Sequence, residues 1–370
     1  MERTENCLKK LERMNKALRH EEPDRVPRDM WLSSGFERKL SAERGETKAT
    51  WLDTYDIDLR YIDGPAFIGP PLATYADGGD EDIWGVRRRP VHVATEGGAE
   101  DYHEVAASPL ATATTVDEIQ AYDHWPSADW FDYSPIEAQC QAIRDSGRVA
   151  VFMGDRLNRL AQLKPAMYLR GLEQIFMDMV ESPEIAHAIF GRIQSFYLEY
   201  AQRIFDAAAG KLDIVLTGDD FGSQNGPLVS PTMWTEYLQQ GFGAYAGLAR
   251  SYGCCVMHHT CGSVRPLIPL MIDSGLDVLQ SLQPEAADMS PAELKTDFGD
   301  RLAFHGGISI QQTLPFGTPE DVRNEVRQRI ADLASGGGYI ISTSHNIQAD
   351  TSIENATALL RAYDEFGNYR

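Results

Sequence analysis

The chain has 370 residues, is 43% hydrophobic and carries a formal net charge of -21. The apolar content supplies a large core, and the length suits a single barrel-sized unit over residues 1–370. The charge argues against nucleic-acid phosphate or an anionic membrane surface as partner. Five cysteines, odd in number and unevenly spaced, read as reduced thiols of a cytoplasmic protein rather than a disulfide framework. Residues 1–20 are charged and lack the apolar centre of a signal peptide. No apolar run reaches the length of a membrane span.

Residues 4–20 are predicted to form an amphipathic helix, with Cys7, Leu8, Leu11, Met14 and Leu18 on one stripe. This helix opens a helical extension over residues 1–50, interrupted by an extended, Pro-rich connector at 22–27. Residues 56–62 form a first strand, stopped by Asp63-Gly64-Pro65. Turns at Gly78-Gly79-Asp80 and Glu96-Gly97-Gly98 frame a small β-hairpin insertion, with arms at 83–86 and 100–105. Further strands are predicted at 149–154, 212–216, 254–257, 276–280, 302–307 and 339–345. Helices are predicted at 160–180, 183–209, 231–252 and 319–334.

Short apolar strands alternating with helices specify an α/β fold with a parallel sheet. Polar residues just beyond the strand ends favour a closed (β/α)8 TIM barrel, which collects its active site there. An open doubly wound sheet is the alternative, but no G-x-G-x-x-G follows a strand and no phosphate-binding loop is present. Nucleotide chemistry is therefore unsupported.

Soft metal-ligand chemistry concentrates in Cys254-Cys255-Val256-Met257-His258-His259-Thr260-Cys261-Gly262. Residues two apart on an extended strand share a side, so His259 and Cys261 project together and His258 and Thr260 face away. Cys254 and Cys255 sit in the apolar run and read as core, as does Cys140 in its helix. A barrel would bring His345 to the same rim. Two imidazoles and one thiolate with an open fourth position match a catalytic zinc. Such an ion would ionise a bound thiol for methyl transfer, or a bound water for hydrolysis. The ligand set leaves both open. Asp219, Asp220, Gln283, His305, Asn346 and Gln348 also fall at strand ends.

Several motifs together resemble the uroporphyrinogen decarboxylase superfamily, and more closely its corrinoid-dependent methyltransferase branch. They are Pro23-Asp24-Arg25-Val26-Pro27, Gly218-Asp219-Asp220-Phe221-Gly222, His259-Thr260-Cys261-Gly262, Phe304-His305-Gly306-Gly307 and His345-Asn346-Ile347-Gln348, in that order. The resemblance implies a barrel fold and a methyltransferase. The methyl group would pass between a methylcobamide, its cobalamin carried by a separate corrinoid protein, and a small thiol or tetrahydrofolate acceptor. Methylcobamide:thiol members bind zinc through His-x-Cys and a later Cys. His259 and Cys261 match the pair, while His345 stands where the later Cys belongs. From their placement at the strand ends, Asp219, Asp220 and His305 are expected as catalytic groups, and Gln283, Asn346 and Gln348 as substrate contacts.

Two alternatives accompany this reading. A uroporphyrinogen-type decarboxylase would grip a polycarboxylate with an Arg-rich N-terminal stretch, but here Arg28 stands alone beside Asp29, with Arg156 and Arg159 as further candidates. A non-catalytic partner of a corrinoid protein is the other, favoured by the His-for-Cys departure.

Overall fold

The computed structural model describes residues 2–95, 97–154 and 159–369, with side chains from residue 10 onward. The expectations for the Cys7 and Leu8 side chains, Glu96 and Arg156 lie outside the described residues. In chain order, the strands are β1 (Leu59–Tyr61), β2 (Ala66–Phe67), β3 (Asp80–Glu81), β4 (Arg87–Thr95), β5 (Gly98–Ala107) and β6 (Phe131–Asp132). They continue with β7 (Val149–Phe152), β8 (Ile214–Gly218), β9 (Cys255–His259), β10 (Val278–Leu282), β11 (Ala303–Ile308) and β12 (Tyr339–Thr343).

The predicted core strands correspond to β1 and β7 to β12, which form one seven-stranded sheet in the order β1-β7-β8-β9-β10-β11-β12. Every pairing in it is parallel. Side-chain alternation separates two cores. Leu59, Val151, Leu216, Met257, Val278, Ala303 and Ile340 cluster on the concave face with Met14 of the first helix. Their neighbours Ala150, Phe152, Val215, Val256, Leu279 and Ile341 join the larger core beneath the helices. The first helix, Glu2–Leu18, therefore covers the N-terminal end of the strands, where Gly338 N donates to Ala17 O at 2.8 Å.

The structure corrects the expectation of eight strands closed into a barrel: the sheet is a curled, open half-barrel. The segment after the first helix approaches the gap between β12 and β1, but among the described residues it pairs with β12 only through the isolated bridge Arg28↔Ile341, with a second bridge, Leu32↔Ile347, beyond the end of that strand. On the other side Asp58 N donates to Arg28 O at 3.0 Å. Pro23 and Pro27 bring no N–H to a ladder, so this segment pairs at single points and makes no eighth strand.

The insertion also differs in detail. It is a three-stranded antiparallel sheet, β3-β4-β5, and its long hairpin pairs β4 with β5. The arm expected at 83–86 is a turn, because Asp82 Oδ1 accepts from Trp84 N at 2.9 Å and Val86 N at 3.1 Å. The helix expected at 160–180 divides into Leu163–Arg170 and Leu172–Glu181 at Gly171, whose φ is 95°. That at 231–252 divides at Leu238 into Pro231–Tyr237 and Gln239–Ser251. Among the described residues, no helix is long and apolar enough to cross a membrane.

Candidate metal centre

Alternation along β9, β10 and β11 raises a polar layer directly above the apolar floor. Met257, Val278 and Ala303 belong to the floor, so His259, Gln280 and His305, two residues further on, face the same way. Register makes them neighbours: Gln280 lies beside His259 on one side and beside His305 on the other.

His259, Cys261 and His345 meet above this layer, each offering a ligand atom within 4.8 Å of the others. His259 Nε2 lies 3.5 Å from Cys261 Sγ, and the two imidazole centroids are 5.4 Å apart. The cluster can hold a metal ion. Gln280 Oε1 accepts from His259 Nδ1 at 2.5 Å, which leaves Nε2 with its lone pair toward the cluster. Asn346 Oδ1 engages His345 Nδ1 in the same manner. Burial holds the His259 and His345 pKa values below the usual range, keeping both rings in the neutral form that ligates. Burial also pushes the Cys261 thiol up to about 12, with Asp220 adding to it. An ion would have to displace that proton.

Gly262 lets the chain turn immediately after Cys261. Its φ is +80°, and a Cβ there would lie 2.5 Å from Ser223 O.

The other expected site residues divide by location. Asp220 and Asn346 line a cavity of about 520 Å³ together with His259 and His345. Asp220 pairs with Lys164 at 2.6 Å, and lies 3.7 Å from His259 Nε2. Lys164, through its charge and hydrogen bond, and the Cys261 N–H hold its carboxyl below the usual range against the opposing effect of burial. Gln283 and Gln348 line a smaller chamber of about 260 Å³ that is also walled by Cys261 and by His345, the latter shared with the larger cavity.

Asp219 and His305 are not among the residues lining either cavity. Asp219 accepts from the backbone N–H groups of Gln162, Leu163 and Lys164 at 2.6, 3.0 and 2.7 Å, anchoring the start of helix Leu163–Arg170. Burial nevertheless raises its pKa to about 6. His305 is fully buried, and its Nε2 lies 2.9 Å from Asp29 Oδ2.

That carboxylate oxygen also accepts from Tyr61 OH at 2.5 Å, and Tyr61 OH accepts from Trp31 Nε1 at 2.7 Å. The Trp31 ring stacks 5.8 Å from His259 and lies 6.3 Å from both His305 and His345. Sequence reasoning missed Trp31, Asp29, Lys164 and Gln280 as parts of the site. No local pattern marks them, since each meets the cluster only through long-range packing. It also missed Arg88, which lines the larger cavity alongside Arg159 and Lys164.

His258 faces away, as the alternation requires. Its Nδ1 lies 2.8 Å from Thr217 Oγ1, and its ring stacks on Phe221 at 5.1 Å. Burial lowers its pKa from 6.5 to about 3. The folded value lies below the unfolded one, so the stability from keeping this ring neutral is full above about pH 6.5 and is lost as pH falls toward 3. Between pH 7 and 5 the loss from His258 is about 2 kcal/mol. Asp219 titrates the opposite way, so the test compares urea unfolding of native protein and His258→Gln at both pH values. Equal pH slopes in the two proteins would refute the assignment.

The model for the family "Uroporphyrinogen decarboxylase (URO-D)" matches residues 161–366, a span that includes all three cluster ligands. The chain belongs to the uroporphyrinogen decarboxylase family. Within it, the chain is 26% identical over 238 residues to the methylated-thiol–coenzyme M methyltransferase of Methanosarcina mazei, covering 60% of each chain. It is 24% identical over 192 residues to the uroporphyrinogen decarboxylase of Pseudoalteromonas translucida, covering 50% of this chain and 49% of that one. The matches thus span about half to three-fifths of these relatives' lengths. A solved methyltransferase from Methanosarcina mazei superposes with a TM-score of 0.65 at 17% identity, covering 96% of this chain and 98% of that one. This likeness shows a shared fold.

Proposed function

We propose that this family member is a methyltransferase moving a methyl group between a methylcobamide on a separate corrinoid protein and a thiol held at the His259, Cys261, His345 cluster. The observation carrying the reading is the convergence of two imidazoles and one thiol within 4.8 Å, the imidazoles on the wall of the larger cavity and the thiol residue on that of the smaller chamber. A nitrogen and sulfur donor set with an open position suits zinc, as opposed to magnesium or calcium. Zinc held there would supply the positive charge that keeps an acceptor thiol ionised at neutral pH.

The chain's own residues do the rest. Gln280 and Asn346 fix the ring orientations of His259 and His345. Trp31 packs against both rings and screens them from water. Lys164 and Asp220 place a paired charge beside the reacting end of the cavity. The similarity to a methylated-thiol–coenzyme M methyltransferase supports the same reading.

A second reading has its own support. Arg88, Arg159 and Lys164 share the larger cavity, so a carboxylated ligand and decarboxylation form the alternative, in line with the relatives named uroporphyrinogen decarboxylase.

The test mixes zinc-loaded protein with methylcobalamin and a panel of thiols, following the methyl-cobalt absorbance. Thiol-dependent loss of the methyl-cobalt band is expected. Loss with tetrahydrofolate alone would move the acceptor away from a thiol. No change with either acceptor, together with carbon dioxide release from a porphyrin polycarboxylate, would replace transfer by decarboxylation. A corrinoid protein that binds without any spectral change would leave only a non-catalytic partner.

A further inference from the structure

The smaller chamber lies behind the cluster, walled by Cys261 and His345. We infer that it is a second ligand site, taking a small molecule whose end presents paired N–H donors, such as an amidinium or a protonated amine. Only the identity of that molecule as a reactant rests on the transfer reading; binding itself does not.

The central observation is Glu285. Glu285 is one of the residues lining the chamber, and both of its carboxylate oxygens are buried without a hydrogen-bond partner. A carboxylate shielded from water needs donors, and two parallel N–H groups on a planar fork satisfy both oxygens at once. Among the described residues, neither Lys nor Arg lines this chamber. Nearby, Glu325 Oε1 accepts from Ser309 N at 3.0 Å and lies 3.8 Å from Arg329 Nη2, so this second carboxylate is already compensated.

Apart from Cys261 and His345, the remaining polar wall is made of the carboxamides of Gln224, Gln283, Gln311 and Gln348 and of Ser344, whose hydroxyl donates to Leu282 O at 2.8 Å. Gln283 Oε1 accepts from Gly262 N at 3.0 Å and its Nε2 donates to Gln224 Oε1 at 3.2 Å, so this part of the wall is set in advance. Among the described residues, no Trp, Tyr or Phe lines the chamber. That composition disfavours a quaternary ammonium, which aromatic faces recognise, and favours a ligand that donates N–H bonds.

The contrast across the cluster strengthens the inference. Among the described residues, the larger cavity presents Arg88, Arg159 and Lys164 against the one carboxylate of Asp220. Arg88 is 2% exposed, its Nε donates to Asp82 at 2.8 Å, and its two terminal nitrogens have no hydrogen-bond partner. The cluster thus separates a cationic room from an anionic one. Two ligands entering from opposite sides would be sorted by charge before meeting at the cluster.

Calorimetric titration of the zinc-loaded full chain with acetamidinium, acetamide and acetate tests this, because the three share a shape and differ in charge and N–H count. Acetamidinium is expected to bind more tightly than acetamide, and to weaken by about tenfold or more in Glu285→Gln. Acetate can occupy the cationic cavity, so the Glu285-dependent part of the heat is what reads the chamber. Gln311→Leu, on an exposed loop at the chamber edge, is expected to weaken acetamidinium severalfold and keeps the test open if Glu285→Gln misfolds. Equal acetamidinium affinity in native protein and Glu285→Gln, or in native protein and Gln311→Leu, overturns the inference. So does equal binding of acetamidinium and acetamide. Acetamidinium binding without any methyl transfer would leave this site standing and sink the transfer reading alone.

Discussion

Cys261→Ser is expected to keep the fold and to bind zinc at least about 100-fold more weakly than the native protein. Residues that merely orient metal ligands are worth about 10- to 100-fold in affinity, so loss of a ligand sets a larger effect. Serine occupies nearly the same volume, but its hydroxyl is a hard, un-ionised donor where the site offers a soft thiolate. His345→Ala is expected to act in the same direction by removing one of the two imidazoles. Gln280→Leu, which touches only His259, should cost less.

The Cys261 proton gives the prediction a second readout. With the metal-free thiol pushed up to about 12, binding must release one proton across the neutral range. The two imidazoles, already neutral, release none. Affinity should therefore rise about tenfold per pH unit, and the slope should vanish in Cys261→Ser. Elemental mass spectrometry and competition with a chromophoric chelator measure both effects. Equal zinc content in native protein, Cys261→Ser and His345→Ala would place the ion elsewhere and remove the basis for thiol activation.

Asp58→Ala is expected to cost about 3–5 kcal/mol of unfolding free energy, a large share of the stability of most folded chains. Asp58 is completely buried at the seam of the open sheet. It accepts from Arg13 Nη1 at 2.8 Å, from Arg25 Nη1 at 2.7 Å and from Arg28 N at 2.8 Å. It thus fastens the first helix and the Pro-rich segment to the residue just before β1. Removing it leaves two guanidinium groups near the interior without their shared carboxylate.

The segment it holds carries Asp29 and Trp31, so the same substitution should also loosen zinc binding. Asp58→Asn keeps the shape and one acceptor, and should fall between native and alanine. Urea unfolding followed by circular dichroism reads the cost. A loss below about 1 kcal/mol would show that the pairs behave like exposed ones.

The sequence by itself determined the elements whose signals are local. Apolar runs of strand length marked β1 and β7 to β12, because burial on both faces of a parallel sheet demands continuous apolar residues. The two-residue spacing placed His259 with Cys261 and turned His258 into the core. The order of the motifs pointed to the family. His345 could be proposed as a third ligand only from its position after the last strand.

Tertiary structure decided everything that depends on where distant segments meet. It brought His345 to within ligand distance of a pair some eighty residues earlier in the chain. It also gave Asp219 to the backbone of a helix start, a use that the adjacent aspartates do not distinguish in sequence. Trp31, Asp29, Tyr61 and His305 form one network although they come from three separate segments, since hydrogen bonds there follow sheet register rather than spacing. The open seam has the same origin: whether an eighth strand closes a barrel depends on an unbroken row of backbone donors, and the prolines before Arg28 interrupt that row.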